Sequence, residues 1–144
     1  MPRLVPDLEA RFVRHEVVVE KTWHVRPEVL AVRPAGPYSD DDLFEKEGPQ
    51  VHIVTVDTLA EAQGVWFLCP LCFMKNEGRV GTHAVLCWFV GLVPDDIVPK
   101  PGRWTPQGTG LDDLTFVPSA ERSQSVALTS GCAWHGFVMK GEAA

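Results

Sequence analysis

A mainly β fold with one short helix, stapled as a small β-domain by zinc, is what this chain predicts, and three observations point there. Twelve Pro and twelve Gly in 144 residues cut the chain into short pieces, a density of turns that suits strands and not long helices. Between those breaks, Val, Ile, Phe and Trp recur in runs of strand length. Third, Cys69-Pro70-Leu71-Cys72 and Cys132-Ala133-Trp134-His135 are two metal-knuckle half-sites. Two ligands three apart on a tight turn can point the same way, and two such turns complete a tetrahedral sphere for one Zn²⁺.

Taken in order, Arg11 to Glu20 reads as a strand, because Phe12, Val13, Val17, Val18 and Val19 are β-formers interleaved with charges. Trp23 to Val32 reads as a short strand pair around Pro27, and residues 33–50 as an acidic Pro/Gly loop carrying Asp40-Asp41-Asp42. Val51 to Val56 is a strand. In Asp57 to Gly64 a polar cap, a Thr58-x-x-Glu61 capping box and a terminal Gly predict a helix of one or two turns. Val65 to Leu68 is a strand leading into the first knuckle, and Phe73 to Thr82 a turn.

His83 to Val90 is the most hydrophobic stretch, apolar on both faces, which predicts a central strand with Trp88 buried. Gly91 to Leu114 has little periodicity, but Arg103 and Trp104 give it an anchor, so it is expected to be an ordered loop. Leu114 to Val117, Ser123 to Thr129 and Gly136 to Lys140 read as the last strands. The length suits one domain over 1–144, with a β-rich N-terminal segment 1–56 and a zinc-knuckle core 57–144.

The formal net charge is −6, and three thiolates on one Zn²⁺ add about one more negative charge. Such a surface repels phosphate backbones, and the basic residues are scattered, so general nucleic-acid binding is disfavoured. The longest apolar run, Ala84 to Leu92, is too short to cross a bilayer, and the first residues lack the apolar stretch of a signal peptide. The expectation is an intracellular protein with reduced thiols.

Among residues able to carry chemistry, Cys69, Cys72, Cys132 and His135 are assigned as the metal ligands and Zn²⁺ as a structural cofactor. The alternative is iron: Cys132-Ala133-Trp134-His135-Gly136 resembles half of a Rieske motif, but the partner half-site is Cys-x-x-Cys, so an iron–sulfur cluster fits less well. Cys87 sits inside the apolar strand and reads as a buried small hydrophobe. His83, at the start of that strand, reads as a histidine bonded to a backbone carbonyl, with a supporting or acid–base role as the sharper alternative. A ligand pocket is the further candidate, built by Thr82, His83, Arg103, Trp104, Thr109, Asp112 and Asp113 around the long loop. Against it, neighbours on an extended chain point to opposite faces, so Asp112 and Asp113 do not easily act together.

From about Leu59 onward the chain resembles a family of small phage and prophage proteins of unknown function. The likeness rests on Leu59-Ala60-Glu61-Ala62-Gln63-Gly64, Phe67-Leu68-Cys69-Pro70-Leu71-Cys72-Phe73, Val80-Gly81-Thr82-His83, Pro101-Gly102-Arg103-Trp104, Gly108-Thr109-Gly110-Leu111-Asp112-Asp113-Leu114-Thr115 and Gly131-Cys132-Ala133-Trp134-His135-Gly136-Phe137. It covers roughly the last three-fifths of the chain. The resemblance implies phage origin and zinc, but no activity; the segment from Tyr38 to Gln50 looks like an insertion.

The functional expectation is a non-enzymatic, zinc-stabilised module in the host cytoplasm or the virion that binds a host or phage protein. The alternatives are a small-ligand-binding protein or enzyme using the 91–114 loop and His83, and a nucleic-acid-binding zinc ribbon. A Cys₃His site has no open position for water, which argues against zinc hydrolysis.

Overall fold

Strand β5 (Gly64–Leu68) is buried at four of its five positions because Gly64, Val65, Phe67 and Leu68 all face packed neighbours, and the sheet is built around it. In the computed structural model, which describes residues 2–20, 24–25, 44–45, 48–119, 124–129 and 131–144, β1 (Arg11–Glu20) pairs antiparallel with β5 on one side and β6 (Ala84–Trp88) pairs antiparallel on the other. With β4 (Gly48–Val56) the sheet order is β4-β1-β5-β6. Among the described residues the fold is mainly β with one short α-helix, as expected.

Two compact units make up the chain, one of residues 1–14 with 54–144 and one of residues 15–53. In the second, the short strands β2 (His24–Val25) and β3 (Phe44–Glu45) pair antiparallel. Apart from these strands and the start of β4, the strand pair expected over 23–32 and the acidic loop expected over 33–50 lie outside the described residues.

The helix expected over 57–64 is a single 3-10 turn, Leu59–Glu61. Half of its capping box forms: Thr58 Oγ1 accepts the Glu61 amide at 3.3 Å, while its hydroxyl, and not the Thr58 backbone N–H, donates to Glu61 Oε1 at 2.9 Å. The chain then leaves the turn because the Gln63 amide donates to Val13 O at 2.8 Å, which draws it into the sheet. Tertiary pairing outweighs the local cap.

Among the described residues the α-helix, α1 (Pro70–Asn76), stands instead inside the first knuckle and the stretch read as a turn. Cys69 is its N-cap, and Pro70 occupies the first turn, where a missing N–H costs nothing. Glu77 closes it at φ 55°, and Gly78 N returns to Phe73 O at 3.0 Å, satisfying a terminal carbonyl.

β6 lies at the end of the sheet order rather than at its centre. It is still apolar on both faces because other segments cover it: Val85, Cys87 and Trp88 are buried. Part of its outer edge is taken by the long loop, where Trp104 N donates to Trp88 O at 3.0 Å and Val90 N to Trp104 O at 2.8 Å. That loop is tied to the sheet and to itself by the two anchor residues. Arg103, only 3% exposed, sends Nη1 to the carbonyls of Pro99 and Gly102 at 2.9 and 2.8 Å, and Nη2 to those of Pro94 and Ile97 at 2.9 Å each. Trp104 stacks on Phe116 at 5.9 Å and donates Nε1 to Ser125 O. Beyond it, β7 (Thr105–Gln107) and β8 (Thr115–Val117) form an antiparallel hairpin.

The remaining strands are short. β9 (Val126–Ala127) pairs with β10 (His135–Gly136), and β11 (Val138–Met139) with β12 (Glu142–Ala143). The main core gathers Leu4, Leu8, Phe12, Val65, Phe67, Phe89, Leu114, Phe116, Trp134 and Val138; each large side chain fully buried this way contributes about 1.5–3 kcal/mol. The N-terminal stretch closes against the last strands: Leu4 N donates to Gly141 O at 2.8 Å, and Ala143 N to Pro2 O at 3.1 Å. Trp134, next to the second knuckle, meets Phe67 edge-on at 6.1 Å. This contact ties the segment bearing Cys132 to the strand that ends at Cys69. Among the described residues no helix is long and apolar enough to cross a membrane.

Candidate metal centre

Three separate pieces of chain supply four donors. Cys69 ends β5 and caps α1, and Cys72 follows on the first turn of that helix. His83 is held beside them because Cys69 N donates to His83 O at 2.8 Å as the antiparallel ladder is extended past β6. Cys132 sits in a tight turn between Gly131 (φ 65°) and Ala133 (φ 54°). Left-handed backbone at Gly131 comes without the Cβ penalty any other residue would bring. The ligand atoms of Cys69, Cys72, His83 and Cys132 all lie within 4.8 Å of one another, a set that could hold a metal ion. Cys69 Sγ is 3.5 Å from Cys132 Sγ, and His83 Nε2 is 3.2 Å from the same sulfur. All four cysteines are free thiols.

His83 thus stands where His135 was expected. The spacing Cys132-x-x-His135 would suit a knuckle that stays in a turn, but here the chain enters β10 at His135, right after Trp134. Strand alternation then puts Trp134 and Gly136 inside and His135 outside. Trp134 wins the inward position because it packs on Phe67. The signal for His83 was its place at the end of the strand antiparallel to the one ending in Cys69, a pairing that the sequence alone does not give.

The electrostatics are those of a cation site. Burial, the largest cause, pushes the Cys69 thiol up to about 12. Cys72 is raised chiefly by burial and then by its neighbour Cys132. Cys132 is drawn down to about 6, mainly by the hydrogen bond from His83, whose own imidazole is raised by that same bond. Without a cation, ionisation is easiest at Cys132, beside His83, and is opposed at Cys69 and Cys72. A divalent ion reverses this by favouring thiolate at all three sulfurs. The other ring nitrogen, Nδ1, lies 3.2 Å from Ala84 O. With the proton placed there and donated to that carbonyl, Nε2 turns its lone pair to the cluster, the usual orientation of a metal-bound histidine.

Cys87 is outside the cluster and fully buried, and desolvation raises its thiol. Alkylation of the native, metal-loaded protein is therefore expected to spare Cys87 along with Cys69, Cys72 and Cys132, and all four should react once chelation of the metal unfolds the unit. Mass mapping of the labelled cysteines checks this; early labelling of Cys87 would contradict it.

The pocket expected around the long loop is only partly assembled. His83 and Trp104 line a cavity of about 730 Å³ together with Pro99, Lys100, Ala127 and other residues. Arg103 turns inward to the loop carbonyls instead, and Thr82 donates Oγ1 to Gly78 O at 2.7 Å. Thr109, Asp112 and Asp113 form a separate turn. Asp113 accepts the Thr109 and Gly110 amides and the Thr109 hydroxyl at 2.9–3.0 Å, while the Asp112 carbonyl accepts from Arg3. The side chain is aimed at its own loop, not at a ligand.

Those bonds, led by the one from Gly110, hold the Asp113 carboxyl below the usual range. Its stabilisation of the turn is therefore fully present above the ordinary carboxylate pKa of about 3.9 and is lost as pH falls through the depressed value. Protection of the Thr109 and Gly110 amides, measured as exchange relative to the intrinsic rate at each pH, should fall only in that acid range. Asp113→Asn should remove the pH dependence of that protection; protection that ignores pH in the wild type would contradict the assignment.

The fold and site together define a β-rich domain with a Cys₃His cluster that could hold a metal ion. No protein-family model, no curated protein and no solved structure matches this chain.

Proposed function

We propose that Cys69, Cys72, His83 and Cys132 hold one structural Zn²⁺, and that the protein is a zinc-stapled, non-enzymatic β-domain that binds another protein. The observation that carries this is the completeness of the donor set: one buried sulfur, two half-buried sulfurs and an imidazole from three segments, mutually within 4.8 Å. Zn–S bonds of about 2.3 Å and a Zn–N bond of about 2.0–2.1 Å in a tetrahedron place neighbouring donors about 3.4–3.8 Å apart. The separations of 3.5 and 3.2 Å lie within a few tenths of an ångström of that. Donors this close favour a single ion over an iron–sulfur cluster, whose thiolates attach to different irons. Four protein ligands leave no place for a reactive water. The net charge of −6 favours a protein partner over nucleic acid. The resemblance to phage proteins supports action in a host cytoplasm or a virion.

Cobalt substitution tests the reading. Co²⁺ in place of Zn²⁺ should give a tetrahedral, thiolate-rich absorption spectrum that azide does not alter, because no coordination position is open. A spectrum that shifts with azide would indicate an accessible site and favour an enzyme. The second reading, a small-ligand-binding protein, has one observation behind it: the cavity that brings His83 and Trp104 together.

A further inference from the structure

We propose that the cavity beside the metal cluster receives an extended peptide strand of the partner protein, paired through its backbone with Leu86 and Ala127 and carrying an acidic side chain towards Lys100. This rests on the protein-binding reading above and specifies its site.

The argument begins with which main-chain groups of β6 face outward. Phe89 N donates to Gln63 O and Cys69 N to His83 O, each at 2.8 Å, in the same register as the β5–β6 pairs. Antiparallel pairs alternate between bonded and non-bonded, so the odd-numbered residues of β6 turn their amides and carbonyls to β5 and the even-numbered ones turn theirs to the outer edge. Trp104 takes that edge at Trp88 O, and His83 Nδ1 lies against Ala84 O. Between them, the N–H and C=O of Leu86 have no partner among the described residues.

The facing wall has the same property. Leu128 N donates to Trp134 O at 2.8 Å in register with the β9–β10 pairs, so Val126 and Leu128 turn inward to β10. The N–H and C=O of Ala127 are left on the opposite edge, and Ala127 is exposed. Leu86 and Ala127 both line the cavity of about 730 Å³. A gap bounded by two open strand edges matches the hydrogen-bonding pattern of an extended backbone, which can bond on both sides. Ala84 to Cys87 lie along it, about 13 Å of strand at 3.3 Å per residue, so an inserted segment pairs over three or four residues.

Side-chain chemistry adds polarity to this preference. Trp104, Val85 and Val126 make the walls apolar, and Gly102 is there because a Cβ would stand 2.5 Å from the Trp104 ring. Among the described lining residues Lys100 is the one Lys or Arg, and no carboxylate faces it, although the chain as a whole carries −6. Charge complementarity therefore selects an acidic residue in the incoming strand.

The test uses zinc-loaded, full-length protein and a displayed library of random heptapeptides. Selected peptides should be enriched in Asp or Glu. They should protect the Leu86 and Ala127 amides from exchange, and should weaken at least tenfold when N-methylated at alternate residues. Lys100→Glu, at an exposed position, should fold normally and reverse the preference for acidic peptides; Ala127→Pro removes one edge amide and should weaken binding as well. Peptides that bind elsewhere, leaving the Leu86 and Ala127 amides unprotected, overturn the groove but not a protein-binding role. A library that yields no binder counts against both. Binding indifferent to N-methylation overturns strand pairing and favours recognition of side chains alone.

Discussion

Replacing His83 with Ala should release the metal and unfold the first compact unit, whereas His135→Ala should change neither. Structural zinc in small domains contributes apparent binding free energies of about 10–16 kcal/mol at neutral pH, and that binding energy is folding energy. A domain with a typical margin of about 5–15 kcal/mol does not survive loss of the site. Cys132→Ser should behave like His83→Ala, since Cys132 Sγ is the sulfur that both His83 and Cys69 approach. His135 is exposed and points away from the cluster, so its truncation belongs with surface changes of about 0.5 kcal/mol or less. Zinc content by elemental analysis, alongside thermal unfolding of each variant, separates the two histidines. Zinc lost from His135→Ala and kept by His83→Ala would return the site to the knuckle spacing.

Arg103→Ala should have the next largest effect, a loss of about 3–5 kcal/mol. A buried guanidinium here donates to four loop carbonyls, and hydrogen bonds from a charged donor contribute about 1.5–3 kcal/mol each before non-additivity is counted. Truncation leaves the carbonyls of Pro94, Ile97, Pro99 and Gly102 pointing at an empty space that water must fill. Arg103→Lys should recover only part of the loss, because an ammonium is a point donor and does not span the fork that Nη1 and Nη2 cover. Urea unfolding measures the change, and limited proteolysis should move to residues 94–102. Zinc content should stay at the wild-type level in any variant that remains folded. A loss below about 1 kcal/mol would show that these carbonyls are as well served by solvent.

Much of the architecture follows from short-range signals. The Pro and Gly spacing and the β-branched runs specify strands, and the three cysteine ligands are visible from Cys69-x-x-Cys72 and the turn at Cys132. What local sequence does not carry is the competition between neighbours. Thr58 and Glu61 form their cap, yet a helix fails to grow because the Gln63 amide pairs with Val13 O. Pro70 and Gly78 mark the ends of a real helix, but the same residues also read as a knuckle and a turn. The fourth ligand is the sharpest case. Spacing favours His135, while the burial of Trp134 turns it outward and strand pairing delivers His83, 49 residues before Cys132 in the chain. Of the seven residues expected to build one pocket, His83 and Trp104 meet at a cavity and Arg103 is spent on holding the loop. The turn residue Asp113 satisfies its own backbone, a common fate of Asp beside Gly.

The pairing of Pro2 and Leu4 with Gly141 and Ala143 has a consequence for how the protein is made. A ribosome adding about 5–20 residues per second delivers the first of these segments on the order of ten seconds before the second. During that interval Leu4 and Leu8, both fully buried in the finished domain, have no Val138 or Ala143 to cover them, and Cys69 and Cys72 wait for Cys132. Folding of this unit therefore completes only after residues 141–143 have been made, and the nascent chain passes through a stage with uncovered apolar surface and two thiols that lack their cluster partners. With the zinc proposed for this site, yield in a cell should depend on metal supply and chaperone occupancy at that stage as well as on the stability of the finished domain.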